Sequence, residues 1–430
     1  MNRRALLLST ALAAVAVGPT SARADAPEEP KGGVEAGNGA GEPAKTAVEP
    51  STDPPKGGDV ASGDDPKDKD KAITVTGYVE AFYQWNFNRP SNGITSYRGY
   101  DNRHNSITIS NAVIDTGWKW KEVRGRVALQ IGHTPNAYYD NEPSLPGSDG
   151  VGSSGKDTWK YLQQANVGWK APVGRGLILE AGVFLASMGY ETLAIKENWN
   201  WSRSNGVTGL PSYQTGAKAT YEISDTWAVV GGVFNGWNNV TDNNDGKTVE
   251  AQLEYTRKDD LTASFSYMGG PERDQDAKEG RPWRHLFDAW AQWDATKVFA
   301  FAIESNGGFE KTVFGTHWWT STGLYARAHP TEWLYLAVRG DRLWEERAMS
   351  ALGESDPIFS PARRLTSFTA TVDVRPVKTL STRLEYRHDV SAGDAFFRRN
   401  VEGDGSEATP FVPNASTQNT LLLGVVAWFE

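Results

Sequence analysis

Residues 73–87 read ITVTGYVEAFYQWNF, and the alternation in this stretch decides the fold. Ile73, Val75, Gly77, Val79, Ala81, Tyr83, Trp85 and Phe87 share one face. Thr74, Thr76, Tyr78, Glu80, Phe82, Gln84 and Asn86 share the other. Period two sustained this far predicts a strand longer than those of most soluble sheets. Moving outward, the pattern returns. In 123–131, Val123, Val127, Leu129 and Ile131 oppose Arg124, Arg126 and Gln130; in 247–257, Val249, Ala251, Leu253 and Tyr255 oppose Glu250, Gln252 and Glu254. It returns again in 364–375, 380–389 and 417–430. In 106–118 the alternation breaks between Asn111 and Asp115, which predicts a bulge there.

Very short polar links join these strands at 121–122, 172–175, 224–225, 258–260, 296–297, 330–332 and 376–378. Longer loops lie between the hairpins, at 88–103, 133–157, 186–209, 237–246, 270–283, 307–314, 343–363 and 391–416. The count is sixteen strands, at about 45 residues per hairpin. Short turns at one end and long loops at the other predict an all-β, transmembrane, antiparallel up-and-down barrel over residues 73–430. A soluble sandwich also alternates, but its core would not accept full charges in mid-strand. Rings gathered near the short turns (Trp118, Trp120, Trp169, Tyr221, Trp227, Tyr255, Trp293, Phe299, Trp333 and Trp428) suit a membrane interface.

Composition agrees. The chain has 430 residues with 17 Trp, 15 Tyr and 16 Phe, yet its mean hydropathy is −0.52. It has no cysteine, which excludes disulfides and thiolate chemistry. A net charge of −9 argues against a nucleic-acid partner. No apolar run is long enough for a helical span.

Residues 1–24 have the layout of a signal peptide: Arg3 and Arg4, a short apolar stretch, then Ala22-Arg23-Ala24. Residues 25–72 contain no aromatic, Leu, Ile or Met and end in Lys67-Asp68-Lys69-Asp70-Lys71. Such a segment cannot offset its chain entropy by burial, so it reads as a disordered periplasmic tether able to touch peptidoglycan or simply to act as a spacer. Export and the barrel together place the chain in a bacterial outer membrane, with lipid as its surroundings.

At sixteen strands the interior is wide enough to hold water. The expected lining is Glu80, Arg124, Arg126, Glu250, Glu254, Asp288, Asp294, Glu304, Arg327, Arg339, Arg375, Arg383 and Arg387. The arginines fall mostly on one wall and Glu250, Glu254, Asp288, Asp294 and Glu304 on the facing one. If unpaired they set ion preference; the alternative is pairing with Asp341, Asp373, Glu385 and Asp389. Neutralising Arg124, Arg126, Arg383 and Arg387 is then expected to shift preference toward cations. The third long loop is dense in charge, amides and rings, and it is expected to fold inward with Glu191, Glu197 and Arg203 at a constriction.

Several segments resemble the OmpL-like β-barrel porin family of Gram-negative outer membranes. They are Gly77-Tyr78-Val79-Glu80-Ala81-Phe82-Tyr83, Asn86-Phe87-Asn88-Arg89-Pro90-Ser91-Asn92, Asn105-Ser106-Ile107, Asn198-Trp199-Asn200-Trp201-Ser202-Arg203-Ser204 and Phe234-Asn235-Gly236-Trp237. The resemblance spans about 73–430 and implies an outer-membrane porin-like barrel, without a substrate. Such barrels usually end on an aromatic residue, whereas here Phe429 is followed by Glu430.

The expected function is passive diffusion of small hydrophilic solutes or ions, with no cofactor, no metal and no catalysis. Six histidines and the lack of any GxSxG, HExxH or P-loop speak against an enzyme. Asp242-Asn243-Asn244-Asp245-Gly246 lacks full calcium-loop spacing and reads as a turn tip. The alternative is a non-conducting barrel, an adhesin or structural anchor acting through its loops. The sequence leaves solute, selectivity and a homotrimeric assembly open.

Overall fold

The computed structural model describes residues 73–144, 154–257, 260–353, 357–359 and 362–430. The signal peptide and tether expected at 1–24 and 25–72 lie outside them. Sixteen strands close into one antiparallel barrel. In chain order they are β1 Ile73–Asn86, β2 Ile107–Trp120, β3 Val123–Ile131, β4 Leu162–Ala171, β5 Leu177–Leu185 and β6 Tyr213–Glu222. Then come β7 Trp227–Phe234, β8 Thr248–Arg257, β9 Leu261–Pro271, β10 Trp283–Trp293 and β11 Phe299–Thr312. The wall is completed by β12 Gly315–Thr331, β13 Leu334–Glu346, β14 Arg364–Val377, β15 Leu380–Ser391 and β16 Thr417–Phe429.

Each strand pairs with its sequence neighbours, and β1 closes the barrel against β16 from Gly77↔Phe429 to Asn86↔Thr420. Closure leaves no unpaired edge, which a sheet surrounded by hydrocarbon requires. At this seam Gly77 carries the Phe429 ring where a side chain would otherwise stand: a Cβ there would lie 2.7 Å from Phe429 Cε1. The β1–β2 register shifts between Glu80 and Ala81, opposite Asn111 and Ile109, so Ser110 is the extra residue, one position ahead of the stretch from Asn111 to Asp115 where the sequence predicts the bulge.

The period-two faces separate as the pattern requires. Ile73, Val75, Val79, Leu129, Leu253, Phe368, Val372, Leu421, Leu423 and Val425 are exposed, while Glu80, Gln84, Glu250, Thr369, Glu385 and Thr420 are buried. The exposed apolar set forms the lipid-facing surface of the barrel.

Two expectations need correction. Residues 307–312, expected in a loop, continue β11 and pair with β12, so the connection shrinks to Val313 and Phe314. Gly307-Gly308 looks like a turn in sequence, but a Cβ on Gly308 would come within 2.6 Å of Trp319 Cζ2, so this glycine makes room for the Trp319 ring. Trp428 also leaves the expected outer ring: it packs inward against clusters containing Phe82, Ile195, Trp201, Tyr78 and Val113. The other short-turn tryptophans behave as interface rings, with Trp118, Trp120, Trp169, Trp227, Trp293 and Trp333 all exposed.

A charge placed on the lipid face should be costly. Leu423→Arg, midway along β16, is expected to destabilise the barrel by about 2–4 kcal/mol. Denaturant unfolding in vesicles checks this, and an unchanged midpoint would contradict the lipid-facing assignment.

Candidate functional site

Residues 186–212 leave β5 and return on β6, its neighbour, so the excursion adds nothing to the wall. It goes into the lumen instead. The loop is braced from within before it meets the barrel. Asn198 Oδ1 accepts from Thr192 N at 2.9 Å, and its Nδ2 donates to Thr192 O and Ala194 O at 2.8 and 3.1 Å. Arg203 donates to Trp201 O at 2.8 Å and Leu193 O at 2.6 Å, tying the two limbs together. Glu191 Oε2 accepts from Ser204 N at 2.7 Å. Gly189, at φ 96°, makes a turn that other residues rarely adopt.

An irregular backbone inside a barrel needs a partner for each N–H and C=O. The wall supplies many of them with charge. Asp288 accepts from Gly189 N and Glu304 from Tyr190 N, both at 3.0 Å. Glu80 accepts from Ile195 N at 2.6 Å. Glu385 takes Trp201 N at 2.6 Å and Ser202 N at 2.9 Å, while Asp341 takes Asn205 N at 2.8 Å. Glu250 accepts from the Ser187 hydroxyl. Carbonyls meet guanidiniums: Arg339 reaches Ser202 O at 2.5 Å and Arg203 O at 3.1 Å. Arg387 reaches Arg203 O at 2.5 Å, and Arg383 reaches Asn200 O at 3.3 Å.

Aromatic seats complete the docking. Trp199 lies among Tyr190, Trp290 and Tyr325, with Tyr190–Trp199 centroids 5.9 Å apart and edge-on. Trp201 rests on β16, where a Cβ on Gly424 would stand 2.3 Å from its ring.

Of the two alternatives for the arginine wall, pairing holds for Arg126, Arg339, Arg383 and Arg387. Arg339 binds Glu191 at 2.7 Å and Asp341 at 3.0 Å, Arg387 binds Asp389 at 2.7 Å, and Arg383 lies 3.3 Å from Asp373. Arg126 pairs with Asp115 at 2.5 Å. Desolvation forces this, because an uncompensated buried charge costs several kcal/mol, roughly 3–5 when one partner of a buried pair is lost. Neutralising Arg383 or Arg387 would also remove a support of the loop. Arg124 and Glu254 are partly exposed; Asp294, Arg327 and Arg375 lie toward the short-turn end. Of the three constriction residues, Glu191 and Arg203 are used within the loop, while Glu197 is partly exposed beside Lys196.

Some participants had no signal in sequence. Arg98, on the first long loop, is buried and reaches Asp389 and Thr420, each at 2.9 Å. Glu180 and Lys218 sit 3.8 Å apart across β5 and β6; their strands were legible but the pair was not singled out.

The inward loop meets β2 to β6 through apolar contacts: Ala194 packs against the cluster of Tyr78, Val113 and Ala128, and Leu193 belongs to a cluster with Val183 and Tyr213. On β2, β3, β5 and β6 water reaches Asp115, Arg126, Glu180 and Lys218, whose side chains are 14%, 30%, 14% and 13% exposed. At mid-height, Tyr78, Phe184, Leu193 and Arg203 are nearly covered, at 8%, 3%, 8% and 6%.

Gly424→Leu is expected to drive Trp201 from its seat and Glu385→Gln to weaken two charge-assisted bonds at about 1–3 kcal/mol in total. Amide exchange at Trp201 and Ser202 should quicken roughly tenfold or more, while strand amides stay protected. Unchanged exchange in both variants would contradict this account of the docking.

Solved porins share the architecture. The chain resembles an OmpT loop-deletion mutant of Vibrio cholerae, with TM-score 0.52 and 10% identity, covering 84% of this chain and 100% of that one. An anion-selective porin from Comamonas acidovorans gives TM-score 0.52 and 11% identity over 83% and 99%. The outer-membrane channel DcaP of Acinetobacter baumannii gives 0.51 and 9% over 83% and 97%. At these identities the likeness is one of fold. No curated protein matches the chain. Residues 72–429 match the family described as "Putative beta-barrel porin-2, OmpL-like". With the barrel closed, its lipid face apolar and its lumen charged, the chain belongs to this OmpL-like porin family of bacterial outer membranes.

Proposed function

We propose that the protein is a passive channel for small hydrophilic solutes or ions. Its path runs between the inward loop and the wall formed by β2 to β6. The observation that carries this reading is a polar strip on this wall: water reaches the charged side chains of Asp115, Arg126, Glu180 and Lys218, while the loop touches the same wall through Leu193 and Ala194. A polar, hydrated strip lowers the barrier to hydrophilic solutes, and its paired charges leave no large single-sign field. The reading includes no catalytic step and no cofactor. β1 starts at the short-turn end of the barrel, and a periplasmic tether able to touch peptidoglycan belongs to the proposal. Assembly as a homotrimer belongs to the proposal as well.

The covered mid-height residues support a second reading, an occluded barrel that serves as an adhesin or anchor through its loops. Conductance separates the two. Purified full-length protein in planar bilayers is expected to give discrete ohmic steps, and Arg126→Gln to change the reversal potential in a salt gradient. Silence despite verified insertion would overturn the channel reading in favour of the anchor.

A further inference from the structure

Three inward side chains on adjacent strands stand apart from the set that holds the loop: Arg327 on β12, Tyr335 on β13 and Arg375 on β14. They lie near the periplasmic turns. The Arg327 guanidinium carbon is 4.7 Å from the centroid of Trp199 and 5.9 Å from that of Tyr335. The Arg375 carbon is 4.4 Å from the same Tyr335 ring. Both guanidiniums therefore abut one phenol. His329 stacks on it too, with centroids 5.4 Å apart.

The acids here do not match the cations. Arg327 has Asp294 at 4.0 Å, beyond hydrogen-bonding distance, and its Nε is buried without an acceptor. Arg375 reaches Asp373 at 3.0 Å, but that carboxylate also serves Arg383 at 3.3 Å and accepts from Ser381 at 2.7 Å. Arg383 Nη2 is likewise buried without an acceptor. The next acid, Glu385, is occupied by the N–H groups of Trp201 and Ser202 and by the Thr371 hydroxyl. The Arg327 and Arg375 side chains are 20% and 23% exposed, so their spare donors meet water.

A guanidinium resting on an aromatic face keeps its planar N–H edge free, and that edge matches a carboxylate or phosphate. Two such groups held against one ring concentrate positive charge that an anion in the adjacent lumen would offset. We propose that Arg327 and Arg375, braced by Tyr335 and Trp199, form an anion subsite at the periplasmic end of the lumen for the carboxylate or phosphate group of a small solute. The subsite deepens the diffusion reading, on which it rests, by naming a solute class.

Calorimetric titration tests it on the full-length protein in lipid-free, uncharged detergent at low salt, with benzoate and with inorganic phosphate as probes. Saturable binding of at least one probe is expected. Arg327→Gln and Arg375→Gln should each weaken it about tenfold, the loss of one charge-assisted contact. Arg175→Gln, which removes an exposed rim pair with Asp225, should leave it unchanged. In bilayers the bound probe should reduce chloride current when added on the periplasmic side, and less so in the two variants. No binding to the wild type, or equal binding by all variants, would overturn the subsite. A short-chain phosphatidic acid that binds where free phosphate does not would assign these arginines to a lipid headgroup and overturn the solute reading. Normal binding with electrically silent protein would keep the subsite and reject the diffusion path.

Discussion

The barrel interior is organised by the need to satisfy an irregular backbone away from bulk water. Residues 186–212 bring N–H and C=O groups into the lumen, where each unpaired one would cost about 1–3 kcal/mol. The wall answers by sign. Carboxylates at Glu80, Asp288, Glu304, Asp341 and Glu385 receive N–H groups, and guanidiniums at Arg339, Arg383 and Arg387 donate to carbonyls. Charge-assisted bonds are roughly twice as strong as neutral ones, so a loop with little regular structure can be held in one conformation. Docking in turn commits these charges, which then cannot act as free electrodes for a solute.

This division of labour gives the lumen two sides. From β8 round to β1 the inward charges hold the loop and each other. From β2 to β6 the inward face keeps paired charges within reach of water. At the periplasmic end, Arg327 and Arg375 belong to neither group: aromatic faces position them, and carboxylates only partly balance them.

Much of the fold could be read from the chain because a strand between lipid and water must alternate. The faces of 73–87, 123–131 and 417–430 follow from that rule, and the break near Asn111 marked the bulge. Where alternation gave no guide, local chemistry misled. Gly307-Gly308 reads as a turn, yet these glycines sit in a ladder under Trp319. Trp428 sits among interface rings in sequence but on an inward register position. In the loop, the density of Asn, Trp and Arg signalled inward folding but not which charges would be used up. Glu191 and Arg203 hold the loop itself, whereas Glu197 stays partly open.

By itself, the sequence determined strand number, closure, the lipid-facing set and the charged character of the interior, because period two and short turns are local properties that need no knowledge of neighbours. Only the tertiary structure decided which inward charges are free. Pairing depends on which strands closure brings opposite one another, and on where a loop of some twenty-seven residues lays its backbone. Arg98 meeting Asp389, Trp201 seated on Gly424 and two arginines meeting at Tyr335 are contacts between distant parts of the chain, so no local pattern encodes them.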